Sequence, residues 1–195
     1  MAFTEQQRAT LLRIVHQSIE HGLHRGIPLQ VDPDDYESPL CKDRASFVTL
    51  HRCEKLRGCV GSIEARRPLI RDVTENAYAA AFRDARFQRL QKYELEGLTV
   101  SISVLSPPQM LQIDNEKQLL ERLRPGVDGV ILEDGSFRST FLPSVWTSLP
   151  RPEDFLQHLK LKAGLPIDHW SCNMRIWIYT TECFGDTDSR ATSTG

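Results

Sequence analysis

Apolar residues at Leu11, Leu12, Val15, Ile19 and Leu23 recur at helical spacing behind Thr4 and Gln7, a capping-box pair. The pattern predicts an amphipathic helix ended by Gly22, Gly26 and Pro28. A second helical run starts at Pro68 and turns Leu69, Val73, Ala77 and Ala80 inward, with Tyr78 and Phe82 on its opposite side. Those two rings should be covered, by another layer of the fold or by a second chain. Over Leu98–Leu105, Val100, Ile102 and Val104 alternate with Thr99, Ser101 and Ser103, as in a strand with one core face and one polar face. Residues 46–50 and 60–63 read as a hairpin turned by Glu54-Lys55 and Arg57-Gly58, and 130–132 with 137–142 as a second hairpin across Asp134-Gly135. Asn115 caps a short helix, Pro152–Ala163 forms another that stops at Gly164, and 175–181 reads as a last strand. Residues 28–43, acidic and punctuated by proline, read as a long surface loop.

Strands that arrive mostly as hairpins point to an α+β fold, with a mainly antiparallel sheet and packed helices. The length suits one domain over residues 1–185, and the Ser-, Thr- and Asp-rich stretch 186–195 reads as a mobile tail. A net charge of −2 gives no overall pull on polyanions, so nucleic acid is not the favoured partner and Arg66-Arg67 or Arg83 with Arg86 read as surface charge. The first residues lack the pattern of a secretory signal and no apolar run is long enough to span a bilayer, so a cytoplasmic location without membrane contact is expected. Cys41, Cys53, Cys59, Cys172 and Cys183 are odd in number and lack a Cys-x-x-Cys pair, which suits reduced thiols.

One segment, Leu56-Arg57-Gly58-Cys59-Val60-Gly61, concentrates the candidate chemistry. A thiol beside Arg57, on backbone thinned by Gly58 and Gly61, is a candidate nucleophile or redox centre. The same residues also read as a buried, inert cysteine with turn-forming glycines. Asp84, if the second helix keeps its period, falls on the inward face and needs a partner, Arg57 or Arg86. Asp84 and Arg86 then either orient a polar substrate beside Cys59 or serve the local backbone. His21 and His24 beside Glu20 have a metal-capable spacing on a solvated helix face, and no metal is assigned to them.

Several stretches together resemble the AMMECR domain family, whose prokaryotic members are called AmmeMemoRadiSam system protein A. They are Phe47-Val48-Thr49-Leu50, Leu56-Arg57-Gly58-Cys59-Val60-Gly61-Ser62, Ala79-Ala80-Ala81-Phe82-Arg83-Asp84-Ala85-Arg86-Phe87, the Ser-Val-Leu-Ser-Pro-Pro ending at Pro108, and Lys162-Ala163-Gly164-Leu165-Pro166. Ala85 departs from the family's frequent proline, and Arg138-Ser139-Thr140 from its glycine-rich late hairpin. The resemblance implies an α+β fold with a larger and a smaller lobe meeting at a cleft. Its name implies a link to a Memo-like protein and a radical-SAM enzyme, and it implies no particular reaction or cofactor. Two readings stay open. In one, a small polar or anionic metabolite is bound or transformed near Cys59, with Asp84 catalytic and Arg57, Gly58, Gly61 and Arg86 binding. In the other, a non-catalytic interaction module docks through Tyr78 and Phe82 or the late hairpin.

Overall fold

The computed structural model describes residues 2–186. The chain is α+β and divides into two compact units, Ser106–Thr181 and the remainder. Positions 187–195, nearly all of the expected tail, lie outside the described residues.

In the first unit the capping box forms as expected. Thr4 Oγ1 accepts from the Gln7 amide at 3.2 Å, the Gln7 side chain accepts from the Thr4 amide at 3.0 Å, and α1 (Glu5–Arg25) follows until Gly26 turns left-handed at φ 73°. The acidic loop holds a 3-10 turn, Pro33–Asp35, and a short α-helix, α2 (Ser38–Cys41). Then come β1 (Ser46–Arg52), β2 (Lys55–Gly61), α3 (Leu69–Phe82) and β3 (Leu98–Leu105). Val48, Leu50, Val100, Ile102 and Val104 turn one face of the sheet toward α3, whose Leu69, Val73 and Ala77 are fully buried. Tyr78 and Phe82 are covered by α1 itself. Their rings lie 5.0 Å apart and close over Gly22, where even a methyl group would collide with both. The layer that covers them is therefore within the chain.

The first hairpin differs from the expected one. Its turn is Cys53-Glu54, both left-handed (φ 48° and 64°), the geometry that a two-residue turn between twisted strands demands. Arg57-Gly58 is consequently strand rather than turn. The pairing slips between Leu50 and His51: Leu50 faces Gly58 while His51 faces Leu56, so Arg57 is the extra residue of a bulge and strict alternation from Arg57 to Cys59 is broken. Glycine is required at position 58, since a Cβ there would lie 2.1 Å from the Ala80 carbonyl oxygen. The strand thus packs directly on the backbone of α3.

The second unit starts with β4 (Gln109–Met110) and α4 (Glu116–Arg122), the latter capped by Asn115, whose side chain accepts from the Gln118 amide. Next are β5 (Gly129–Asp134), β6 (Phe137–Phe141), α5 (Pro152–Ala163) and β7 (Arg175–Tyr179). These strands form a sheet in the order β4-β7-β5-β6, its described pairings antiparallel. Its core is built on Val130, Leu132, Phe155, Leu156, Leu159 and Ile176, with Trp146 stacked on Phe155 at 3.8 Å. The expected final strand is two: β7 ends at Tyr179, and β8 (Thr181–Gly185) joins the first sheet, whose order is β2-β1-β3-β8. Asp186 beyond it is held, accepting from the Val100 amide at 2.8 Å and pairing with His16 at 3.0 Å.

Candidate functional site

Because Val48 and Leu50 face the core, Thr49 between them faces away, and the register puts Cys59 on one side of it and Ser101 on the other. Cys59, Thr49 and Ser101 thus form a half-buried polar row on the sheet face opposite α3. The Thr49 hydroxyl donates to Cys59 Sγ at 3.3 Å and so fixes the position of the sulfur.

β2 is the edge of its sheet, so the backbone groups of Cys59 on that edge need other partners. The Asp84 carboxylate accepts from the Cys59 amide at 2.9 Å, and Arg86 donates to the Cys59 carbonyl at 3.2 Å. Arg86 also grips Asp84 through Nε at 3.0 Å and Nη2 at 2.7 Å. Carboxylate and guanidinium together do what a neighbouring strand would do. Asp84 reaches this place because α3 stops at Phe82, so it lies beyond the helix and not on its inward face. A carboxylate within the last turn would oppose the helix dipole, whereas here its side chain is 6% exposed and ringed by donors. The hydrogen bond from Arg86 holds the Asp84 carboxyl well below the usual carboxylate range, against the opposing effect of burial. Asp84 in turn favours the charge on Arg86, as, more weakly, does Cys59.

Arg57 turns elsewhere. Its guanidinium meets Glu94 at 2.7 and 2.9 Å and donates to the Gln88 carbonyl at 2.9 Å, with its side chain only 12% exposed. The Glu94 carboxyl is lowered chiefly by that bond. Gly61 lies against the Ser46 carbonyl and the Phe47 ring, so both glycines of the segment serve close packing. The structure thus brings Cys59, Asp84 and Arg86 together and directs Arg57 into the loop after α3. His24 bonds through Nδ1 to the Glu20 carbonyl at 2.9 Å, and among the described residues no group of three His, Cys, Asp or Glu side chains is placed to hold a metal ion.

Thr49, Ser101 and Glu94 are the residues that sequence reasoning missed. Thr49 carried a signal, as the polar position of an alternating strand, whereas nothing in the spacing joins Glu94 to Arg57.

The acid response follows from the lowered carboxyls, Asp84 and Glu94 here and Asp134 in the second unit, where His169 and Ser171 bond to it. A carboxyl depressed in the folded state contributes stability that is complete above its unfolded value, about 4, and that is lost as pH falls through the folded value. Melting temperature should therefore drop below about pH 4 more steeply in the native chain than in Asp84→Asn, as followed by circular dichroism.

The chain is similar to other proteins over most of its length. The AMMECR1 family model matches residues 12–184, nearly the whole described chain and both of its units. The chain belongs to the AMMECR1 family. Among its AMMECR1 relatives, Protein MJ0810 of Methanocaldococcus jannaschii is 34% identical over 165 residues, covering 80% of each chain. A protein of Methanothermobacter thermautotrophicus is 36% identical over 177 residues, covering 90% of this chain and 92% of the relative. The crystal structure of the uncharacterized protein PH0010 from Pyrococcus horikoshii superposes with a TM-score of 0.78 at 30% identity, over 90% of this chain and 89% of that one. No helix among the described residues of this AMMECR1 chain is long and apolar enough to cross a membrane.

Proposed function

We propose that this AMMECR1 chain binds or transforms a small polar, anionic metabolite in the cytoplasm, with Cys59 as the reacting thiol. Thr49 and Ser101 would line the same polar row, and Asp84 and Arg86 act as positioning residues for Cys59. The observation that supports this reading is that all three polar atoms of Cys59 are engaged: its amide by Asp84, its carbonyl by Arg86 and its sulfur by Thr49. An edge-strand residue fixed this completely, with its thiol half-buried instead of sealed in the core, suits chemistry that needs one sulfur position. Arg57 would contribute to the positive field of the segment while remaining paired to Glu94.

A second reading is a non-catalytic module working with a Memo-like protein and a radical-SAM enzyme. The exposed Phe137 at the tip of the β5-β6 hairpin favours it. Tyr78 and Phe82 do not, being buried under α1.

Screening pooled anionic metabolites by thermal shift tests the first reading, since a ligand that binds only the folded state raises the melting temperature by mass action. A metabolite that stabilises the native chain and loses its effect in Cys59→Ala is the expected result. Stabilisation that is unchanged in Cys59→Ala would place the ligand elsewhere.

A further inference from the structure

The segment that follows α3 concentrates positive charge in a chain whose net charge is −2. Residues 83–93 hold Arg83, Arg86, Arg89 and Lys92 against a single carboxylate, Asp84, which is already bound to Arg86 and the Cys59 amide. Arg83, Arg89 and Lys92 are exposed and have no carboxylate partner among the described residues. Two of these guanidinium groups lie over aromatic rings: Arg83 is 4.9 Å from the Tyr78 ring centroid and Arg89 5.8 Å from that of Phe82. Arg86 lies 5.4 Å from Phe87, and Arg52 5.6 Å from Tyr93.

A ring beneath a guanidinium group fixes its plane and leaves its N–H edge free for bidentate contact with an oxyanion. Two of the rings are themselves fixed, since Tyr78 and Phe82 belong to the core. The loop is also tied down, by the Leu90 amide to the Ala81 carbonyl at 2.8 Å and by Arg57 to the Gln88 carbonyl. The cations are therefore presented on rigid backbone, which lowers the ordering penalty of binding. At the far end of this ridge Tyr93 is 70% exposed, and Leu56, on the neighbouring strand, is also exposed.

We propose that residues 83–93, together with the tip of the β1-β2 hairpin, form a docking surface for an acidic polypeptide segment that carries an apolar anchor. Arg83, Arg89 and Lys92 receive its carboxylates, and Tyr93 and Leu56 its apolar side chain. Tyrosine and arginine are the residue types that most often dominate protein interfaces. The exposed carboxylates of Glu54 and Glu96 at the same end break the run of cations, which a continuous phosphate backbone would meet as repulsion and a peptide of mixed composition can accommodate. This surface does not use Cys59.

The test is fluorescence anisotropy with a labelled short peptide in which Asp and Glu alternate with Leu and Phe. A peptide with Lys for each acid and a single-stranded oligouridylate of equal charge serve as comparisons. The acidic peptide should bind the native chain, weaken with added salt, and lose at least about tenfold in affinity in Arg83→Glu with Arg89→Glu. Arg83→Gln with Arg89→Gln should show a smaller loss in the same direction, which guards against a folding defect in the charge reversal. No binding of the acidic peptide, equal binding by both double variants, or tighter ridge-dependent binding of the oligouridylate would each overturn the proposal.

Discussion

Replacing Lys160 by alanine is expected to destabilise the chain by about 3 kcal/mol, the size of effect seen when one member of a buried ion pair is removed. Lys160 lies on α5 with 0% of its side chain exposed, and its ammonium donates to Glu116 at 2.7 Å and to the Ile167 carbonyl at 3.0 Å. It thereby fastens three pieces of the second unit together: α5, the start of α4 and the loop after Gly164. Alanine removes the four-carbon stem as well as the charge, leaving both a cavity and two acceptors without their donor. Glu116 is partly exposed and can return to water, which keeps the loss below the upper end for fully enclosed pairs. Lys160→Met keeps the stem and should lose about half as much, because packing is retained and only the polar contacts go. Urea unfolding of the three proteins measures this. A Lys160→Ala midpoint equal to that of the native chain would mean that the ammonium is not held as described.

Gly58→Val should be comparably damaging, by about 3 kcal/mol or more, through overpacking rather than loss of contact. The new Cβ would stand 2.1 Å from the Ala80 carbonyl oxygen and 3.0 Å from its carbon, and both belong to helix backbone that cannot rotate aside. Relief requires moving β2 away from α3. That movement would also draw the Cys59 amide and carbonyl away from Asp84 and Arg86, so the substitution reaches the site through the backbone. Thermal unfolding and amide hydrogen exchange at Cys59 should change together. Faster exchange there without loss of stability, or the reverse, would separate the clasp from the packing.

Much of this architecture could be read from local pattern. The Thr4 and Gln7 box, the alternation over Leu98–Leu105, Asn115 as a cap and Gly164 as a stop are short-range signals, and each element formed where its signal lay. What escaped depends on contacts between distant segments. Residues 57 and 58 look like a turn in isolation; pairing with β1 makes Gly58 a strand residue, and the approach of Ala80 requires glycine there. The end of α3 carries no strong breaker, so its period extrapolates past Phe82. The helix stops at Phe82, and beyond it the Asp84 carboxylate is bound by the Cys59 amide and Arg86. At the candidate site, Cys59, Asp84 and Arg86 were legible as chemistry-bearing residues. Their grouping was expected too; what could not be read, with 25 residues between Asp84 and Cys59, is that the contacts run through the Cys59 backbone. Strict alternation would put Arg57 on the same side as Cys59, and the bulge that redirects it toward Glu94 is invisible in the sequence.

The central claim, that Cys59 is held as a reactive thiol, is tested most directly by competitive alkylation of the native protein with iodoacetamide, mapped by mass spectrometry over time. Cys53, Cys172 and Cys183 are exposed and Cys59 is half-buried, so accessibility alone ranks Cys59 behind those three. If Thr49, Asp84 and Arg86 hold Cys59 as a nucleophile, it is modified first, and Asp84→Ala slows it toward the rate of the others. A Cys59 that stays unmodified until the protein unfolds would contradict the account and leave it as a packing residue on the edge of the sheet.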